Sequence, residues 1–152
     1  MDPRYEEIIE PLLDVIRTDS PAIFLKTFST VPEPLGLLFA VVLTQFEVLN
    51  GGFAQFFWNG TGVLAPEAVR GFQVLGQPAV AGTVERAMAY FGTVYPRERA
   101  KRQRALPTPL YPSFDELDRE FVEHLYSERG GFEAATDAYI DRFGISVPGD
   151  RS

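Results

Sequence analysis

Two adjacent glycines, Gly51 and Gly52, follow an apolar segment that runs from Leu35 to Leu49, with only Asn50 between. They lie in the run 50–60, which also holds four aromatic residues and three amides. Glycine pairs interrupt helices because glycine loses more backbone entropy on folding and readily adopts positive φ values. A buried amide without a partner costs about 1–3 kcal/mol. The combination therefore predicts a specified turn inside a core rather than a solvent-exposed loop.

Helical spacing of apolar residues recurs along the chain, and no strand-like alternation of useful length appears. A chain of 152 residues fits the size of one domain and can bury a sizeable core. We therefore predict an all-α fold, a compact single domain over residues 1–152. It would contain about seven to eight short helices packed around segment 33–58.

Two predicted helices carry carboxylates opposite an apolar stripe. The first has the apolar stripe Tyr5, Ile8, Ile9, Leu12, Leu13 and Ile16, interrupted by Pro11, and the acids Glu6, Glu10 and Asp14. The second covers residues 113–128, begins with a capping box at Ser113-x-x-Glu116, and carries Glu116, Glu120 and Glu123. Pro11 should kink or break the first helix because proline lacks the N–H that a helix interior needs. Each acidic face is either an ordinary solvated surface or a surface that binds a basic partner.

Charge is distributed unevenly along the chain, whose net charge is −7. Residues 1–50 hold eight acids and three bases, and residues 113–152 hold ten acids and four bases. Residues 51–112 instead hold three acids and seven bases. Most of these bases lie in the segment from Arg97 to Arg104. This basic segment either binds phosphates or forms a solvated helix end that pairs with the chain's own acids. Since nucleic-acid domains usually have a basic balance, we do not expect direct nucleic-acid binding.

The run around the glycine pair also carries a family resemblance. The residues concerned are Glu47, Asn50, Gly51, Gly52, Phe53, Gln55, Phe56, Phe57 and Asn59. Their spacing resembles the signature of a mostly uncharacterised bacterial domain family named after a DNA-mimic protein. Similarity continues through Glu67–Gly76, Glu85–Phe91, Leu117–Phe121 and Ala138–Ile140, and covers residues 33–143. The resemblance implies a protein that presents an acidic surface to a DNA-binding protein.

The amides of this motif have two interpretations. In the structural one, Asn50 caps the buried helix, while Gln55 and Asn59 satisfy backbone groups that the glycine break leaves unpaired. In the functional one, the amides and Trp58 line the pocket of a small enzyme or ligand-binding domain. An open pocket that reaches these side chains would favour the second interpretation.

Catalytic and metal chemistry have little support in the residues. His124 is the single histidine and there is no cysteine, so thiolate sites are excluded and a transition-metal site is not expected. No nucleophile-elbow, P-loop or metalloprotease pattern occurs. We therefore expect no enzyme activity, no metal and no cofactor.

The sequence leads to one functional hypothesis about partners. We expect a non-enzymatic protein-binding module whose acidic helical surface engages a basic protein, such as a transcription factor or another DNA-binding protein. The N-terminus lacks a signal-peptide pattern and the apolar stretch is shorter than a membrane span, which predicts a cytoplasmic protein without membrane contact. Thirteen phenylalanines and six tyrosines exceed what one small core needs, which predicts a homodimer.

Overall fold

The computed structural model describes residues 2–106 and 114–146. Within these ranges the chain forms eight α-helices joined by turns and short 3₁₀ helices, and no strand, so the all-α prediction is confirmed. The α-helices are α1 (Arg4–Ile9), α2 (Pro21–Phe28), α3 (Glu33–Trp58), α4 (Ala65–Leu75), α5 (Pro78–Met88), α6 (Arg99–Ala105), α7 (Asp115–Ser127) and α8 (Phe132–Arg142). The 3₁₀ helices are Glu10–Asp14, Gly60–Leu64, Ala89–Phe91 and Glu128–Gly130. Ser113, the first residue of the predicted capping box, lies outside the described residues.

Pro11 breaks the first helix as predicted. α1 ends at Ile9, and the chain continues as the 3₁₀ helix Glu10–Asp14 with the proline in its first turn. A 3₁₀ helix has three residues per turn instead of 3.6, so the direction of successive side chains shifts. Leu12 is buried, but Leu13 is 51% exposed. The prediction that Leu13 faces the core was therefore wrong.

The glycine pair bends α3 without ending it. Gly51 (φ −150°, ψ 18°) and Gly52 (φ 74°, ψ −178°) leave helical geometry, and a short helical piece follows from Phe53. The Phe53 backbone N–H donates to Asp118 Oδ1 of α7 at 2.8 Å. A Cβ at residue 52 would lie 2.4 Å from Asp118 Oδ2, so glycine is required there by both φ and space. Burial raises the pKa of Asp118, and the bond from Phe53 opposes that rise.

α3 forms the centre of the core. Phe53, Phe56 and Phe57 are fully buried. The ring of Phe53 contacts those of Phe114 and Phe121, and the ring of Phe57 contacts those of Phe56 and Phe114. The helix is long and apolar enough to cross a membrane by length and composition, but 67% of its most apolar window is buried inside the protein. Together with the bend, this burial is typical of a helix in the core of a protein.

The other helices pack around α3 and position the two acidic faces. α1 packs against α3 and α8, while α7 packs against α3, α5 and α8. α7 runs antiparallel to α3, because Asp118 near its start contacts Phe53 and Tyr126 near its end shares a cavity with Gln45. Tyr5 of α1 lines the same cavity, so α1 and α7 both lie beside the middle of α3.

Candidate functional site

A carboxylate organises the polar groups of the glycine–aromatic motif. Glu47, half-buried on α3, accepts hydrogen bonds from Gln55 Nε2 at 2.7 Å, Asn59 Nδ2 at 3.1 Å and Thr61 Oγ1 at 3.0 Å. None of the ion pairs among the described residues involves Glu47. Three neutral donors thus stabilise the charge, and hydrogen bonds to a charged acceptor are stronger than those between neutral groups.

The three amides do not play the roles that the structural interpretation assigned to them. Asn50 does not cap the helix; its Nδ2 donates to Gln55 Oε1 at 3.3 Å, and the residue is exposed. Gln55 and Asn59 bind the Glu47 side chain rather than stranded backbone groups. Those predictions failed because other helices supply the caps: Asp118 binds the backbone at the bend, and α6 binds the carbonyls at the end of α3.

The buried Arg102 of α6 holds the C-terminal end of α3. Its side chain has 0% exposure and donates to the carbonyls of Phe57 and Asn59, each at 2.9 Å, and to those of Pro96 and Arg97. A cation is favourable here because the partial negative charge of the helix dipole lies at this end. Burial lowers the pKa of the guanidinium.

Neighbouring side chains of the basic segment also bind other groups of the protein. Arg99 Nε and Gln103 Nε2 both donate to the Trp58 carbonyl, at 2.9 and 3.0 Å. Arg97 forms a two-pronged ion pair with Glu67, with both bonds at 2.9 Å. The prediction that the segment is a solvated helix end holds for the exposed Lys101 and Arg104 but not for the buried Arg102.

On α7 only two of the three predicted acidic residues are both exposed and without an ion pair in the described part of the chain. Glu116 and Glu123 are exposed and form no ion pair within the described part of the chain. Glu120 instead pairs with Arg86 of α5 at 3.1 Å. Just beyond the helix, the Glu128 carboxylate accepts the first N–H groups of α5 and acts as its cap.

On α1 the predicted acidic residues remain available. Glu6 of α1, with Glu10 and Asp14 of the following 3₁₀ helix, are all exposed. They form no ion pair among residues 2–106 and 114–146, although Asp14 lies near enough to Arg17 to raise its pKa slightly after the stronger effect of Asp19. The structure therefore leaves more unpaired carboxylates on this segment than on α7.

An apolar groove lies beside these carboxylates. It has a volume of about 380 Å³ between α1 with its 3₁₀ extension and α3. Tyr5, Ile9 and Leu13 line one wall, and Leu43 and Phe46 line the other. Phe46 is 62% exposed, so a large aromatic side chain at the rim of the groove is accessible to solvent.

Sequence reasoning missed these apolar wall residues as functional candidates. Segment 35–49 is apolar on nearly every side, which predicts complete burial, yet Phe46 and Leu49 lie one turn apart on an exposed face. The available signal was the surplus of apolar residues on this helix, together with the change of phase that Pro11 imposes on Leu13.

Tyr5 is buried beside carboxylates at the groove. Burial is the main reason that the pKa of Tyr5 rises to about 12, and the carboxylates of Glu6 and Glu133 add to the rise. Tyr5 also lines a second cavity, of about 260 Å³, together with Tyr126 at the end of α7. The two acidic helices meet at this cavity, next to the groove.

The functional interpretation of the motif has little geometric support. Gln55, Asn59 and Trp58 line none of the five cavities that we characterise. His124 is half-buried, and its imidazole makes no hydrogen bond to the residues that the structure describes. No group of three or more metal-ligating side chains occurs in the part of the chain that the structure describes.

Comparison with known proteins identifies the family. A family model described as DMP19-like protein matches residues 29–142. This range includes the Glu47–Asn59 motif and α7 but begins after α1, and it confirms the resemblance seen over residues 33–143. No curated protein and no solved structure gives a significant match to the chain. Since the model covers most of its length, the chain belongs to the DMP19-like protein family.

Proposed function

We propose that the chain is a non-enzymatic protein-binding module that presents an acidic surface to a basic protein, such as a DNA-binding protein. The surface comprises the exposed carboxylates of Glu6, Glu10 and Asp14, with Glu116 and Glu123 of α7 as a flanking part. The observation that carries the proposal is the exposure of these five residues without an ion-pair partner in the described chain.

The interactions of the basic segment within the folded protein support the proposal. In the sequence, the excess of bases in residues 51–112 argues against an acidic binding protein. In the folded chain, Arg97 pairs with Glu67, and Arg99 and Arg102 bind backbone carbonyls. Much of the positive charge is therefore engaged within the protein, whereas the carboxylates near α1 face water. The resemblance to a family named after a DNA-mimic protein points in the same direction.

Close imitation of duplex DNA by α7 alone is not part of the proposal. The 13 residues of α7 span about 20 Å, and a duplex of that length carries about 12 phosphate charges. Segment 115–128 has six carboxylates, and three of them are engaged inside the protein. Those three are Asp118, Glu120 and Glu128. The density of negative charge that remains on α7 falls well below that of the DNA phosphates. The acidic residues near α1 must therefore contribute to the surface.

The alternative, a small enzyme or ligand-binding domain built on the amide motif, fits the geometry less well. The amides of Gln55 and Asn59 are already bound to Glu47. A ligand that used them would have to replace hydrogen bonds to a carboxylate, which are among the stronger ones in proteins. We therefore expect no cofactor at this motif.

The test compares charge reversal on the proposed surface with the same change elsewhere. Partners are captured from extract of the native cell at low salt, and the main one is titrated against Glu6→Lys/Glu10→Lys across a salt series. The matched control is Glu85→Lys/Glu98→Lys, because both residues are exposed and have no ion pair in the described chain. A further variant reverses Glu116, Glu120 and Glu123 together.

We expect the α1 variant to weaken binding strongly at low salt and little at high salt, because exposed charges are screened over about 8–10 Å at physiological ionic strength. The α7 variant should have a smaller effect, since Glu120 already has a partner. Equal affinities for the parent, the α1 variant and the control at every salt concentration would reject the proposal.

A further inference from the structure

The groove between α1 and α3 combines two properties that rarely occur together without a function. Its walls are apolar, with Phe46 and Leu13 more than half exposed. Its rim carries the carboxylates of Glu6 and Glu10, which line the same groove. Exposed apolar patches rimmed by polar residues mark interaction sites in soluble proteins.

We infer that this groove receives the apolar face of a basic amphipathic helix from the protein partner; the inference rests on the proposed function. Helix-in-groove binding places apolar side chains at i, i+3, i+4 and i+7 into a hydrophobic cleft. The carboxylates of Glu6 and Glu10 then face lysines or arginines that flank those side chains. The apolar contacts hold the helix, and the charges select a basic one.

The length of the groove fits such a helix. Tyr5 to Leu13 span roughly 12–14 Å at 1.5–2.0 Å per residue. An i to i+7 set of anchors spans about 10 Å, or two turns. On the opposite wall, Leu49 continues the exposed face one turn beyond Phe46, so a third turn can also find apolar contact.

A second copy of the chain is a poorer occupant. Each copy has a net charge of −7, and a two-fold interface through this groove would bring the carboxylates of Glu6 and Glu10 toward an acidic partner. Like charges brought together at an interface oppose association. The charge of the rim therefore favours a basic helix over self-association at this face.

Binding of a designed peptide tests the inference. The probe is a fluorescein-labelled helical peptide of about four turns, with leucines at i, i+3, i+4 and i+7 and lysines beside them. Two control peptides have the same composition in scrambled order, or glutamate in place of lysine. Anisotropy titrations at about 50 mM and about 300 mM NaCl compare the parent with Phe46→Ser, Glu6→Gln/Glu10→Gln and Val94→Ser. Val94 is 81% exposed and lies away from the groove, so Val94→Ser is the matched control.

We expect the amphipathic lysine peptide to bind the parent more tightly than either control peptide. Phe46→Ser should weaken binding about tenfold or more at both salt concentrations, because it removes an apolar anchor. Val94→Ser should bind like the parent, and Glu6→Gln/Glu10→Gln should weaken binding mainly at low salt. Thermal melts check folding, and Leu13→Ser replaces Phe46→Ser if that variant does not fold.

Three results would overturn the inference. The scrambled peptide binds as well as the amphipathic one, or Phe46→Ser binds like the parent, or sedimentation shows a parent dimer that Phe46→Ser dissociates. The last result would assign the groove to a second copy.

Failure of this inference can be told apart from failure of the proposed function. If the charge variant weakens binding but Phe46→Ser does not, the acidic surface remains and the groove is excluded. If Phe46→Ser weakens binding without any effect of salt or charge, an apolar contact remains and the acidic-surface proposal is rejected.

Discussion

The motif around Glu47 and the groove beside α1 differ in how their polar and apolar groups are used. At the motif, the Glu47 carboxylate has three donors, and Arg102 binds four backbone carbonyls. At the groove, the Glu6 and Glu10 carboxylates have no ion pair in the described chain, and Phe46 stands in water. The polar groups of the distinctive motif around Glu47 are thus bonded to one another in the folded protein. The carboxylates and the aromatic side chain at the groove remain exposed and can contact a partner.

This difference teaches that an unusual motif is not by itself a binding site. Groups that already satisfy one another offer little free energy to a ligand, which would have to replace existing hydrogen bonds. Groups left exposed and unpaired can gain energy from a new contact. Substitutions should therefore affect stability at the motif and binding at the groove, and the predictions below test that separation.

The largest loss of stability is expected from Arg102→Met. The substitution removes the donor to the buried Phe57 carbonyl and one of the two donors to the Asn59 carbonyl, and we expect it to lower the free energy of unfolding by about 3–5 kcal/mol. Urea denaturation measures the change, and the exposed neighbour Lys101→Met should stay within about 0.5 kcal/mol of the parent. A loss no larger than that of the Lys101 variant would show that the buried cation does not hold the end of α3.

A smaller loss is expected from Gln55→Ala. It removes one of the three donors to Glu47 and should cost about 1–3 kcal/mol. The control is Gln73→Ala, because Gln73 is an exposed glutamine on α4. An unchanged melting temperature for Gln55→Ala would contradict a structural role for the motif.

Asp118 should contribute less, and its effect should depend on pH. Asp118→Ala removes the cap of the Phe53 N–H and should cost about 0.5–2 kcal/mol, while Asp118→Asn keeps an acceptor and should cost less. Because burial raises the pKa of Asp118 above 3.8 in the folded state, protonation of this carboxyl group stabilises the fold. That stabilising contribution is fully present below pH 3.8. That contribution is lost as pH rises through the raised folded-state pKa.

Chemical denaturation across acidic pH can test this sign. Relative to Asp118→Asn, the parent should lose stability as pH rises from 3.8 through the raised folded-state pKa of Asp118. A parent that instead gains stability over the same interval, relative to the asparagine variant, would show that the bond to Phe53 outweighs burial.

The smallest effect on stability is expected at the groove rim. Glu6→Gln/Glu10→Gln removes two exposed charges that have no ion pair in the described chain, so the free energy of unfolding should change by less than about 0.5 kcal/mol. Denaturation of this double variant beside Gln55→Ala compares the two regions directly. A loss at the rim as large as that at Gln55 would remove the distinction between them.

Local chemistry made several features of the fold predictable. Pro11 lacks the donor that a helix interior needs, and α1 ends two residues before it, at Ile9. Gly51 and Gly52 bend α3 because Gly52 adopts a positive φ that other residues rarely reach. These outcomes depend on one or two neighbouring residues, so the sequence pattern contains the necessary information.

Features that depend on distant contacts could not be predicted in the same way. Asp118 caps a residue 65 positions away, and Arg102 binds carbonyls more than 40 positions away. Nothing in the local pattern shows which arginine of the basic segment becomes buried. The groove likewise depends on how α1 and α3 pack, so the exposure of Phe46 follows from tertiary structure alone.

Carboxylate footprinting with and without the bound partner tests the central claim most directly. A carbodiimide and an amine label accessible carboxyl groups, and mass spectrometry measures the labelled fraction at each residue. We predict that the partner reduces labelling of Glu6, Glu10 and Asp14, while the exposed Glu85 keeps its labelling. Protection at Glu47, with Glu6 and Glu10 labelled as in the free protein, would contradict the account and transfer the binding site to the motif.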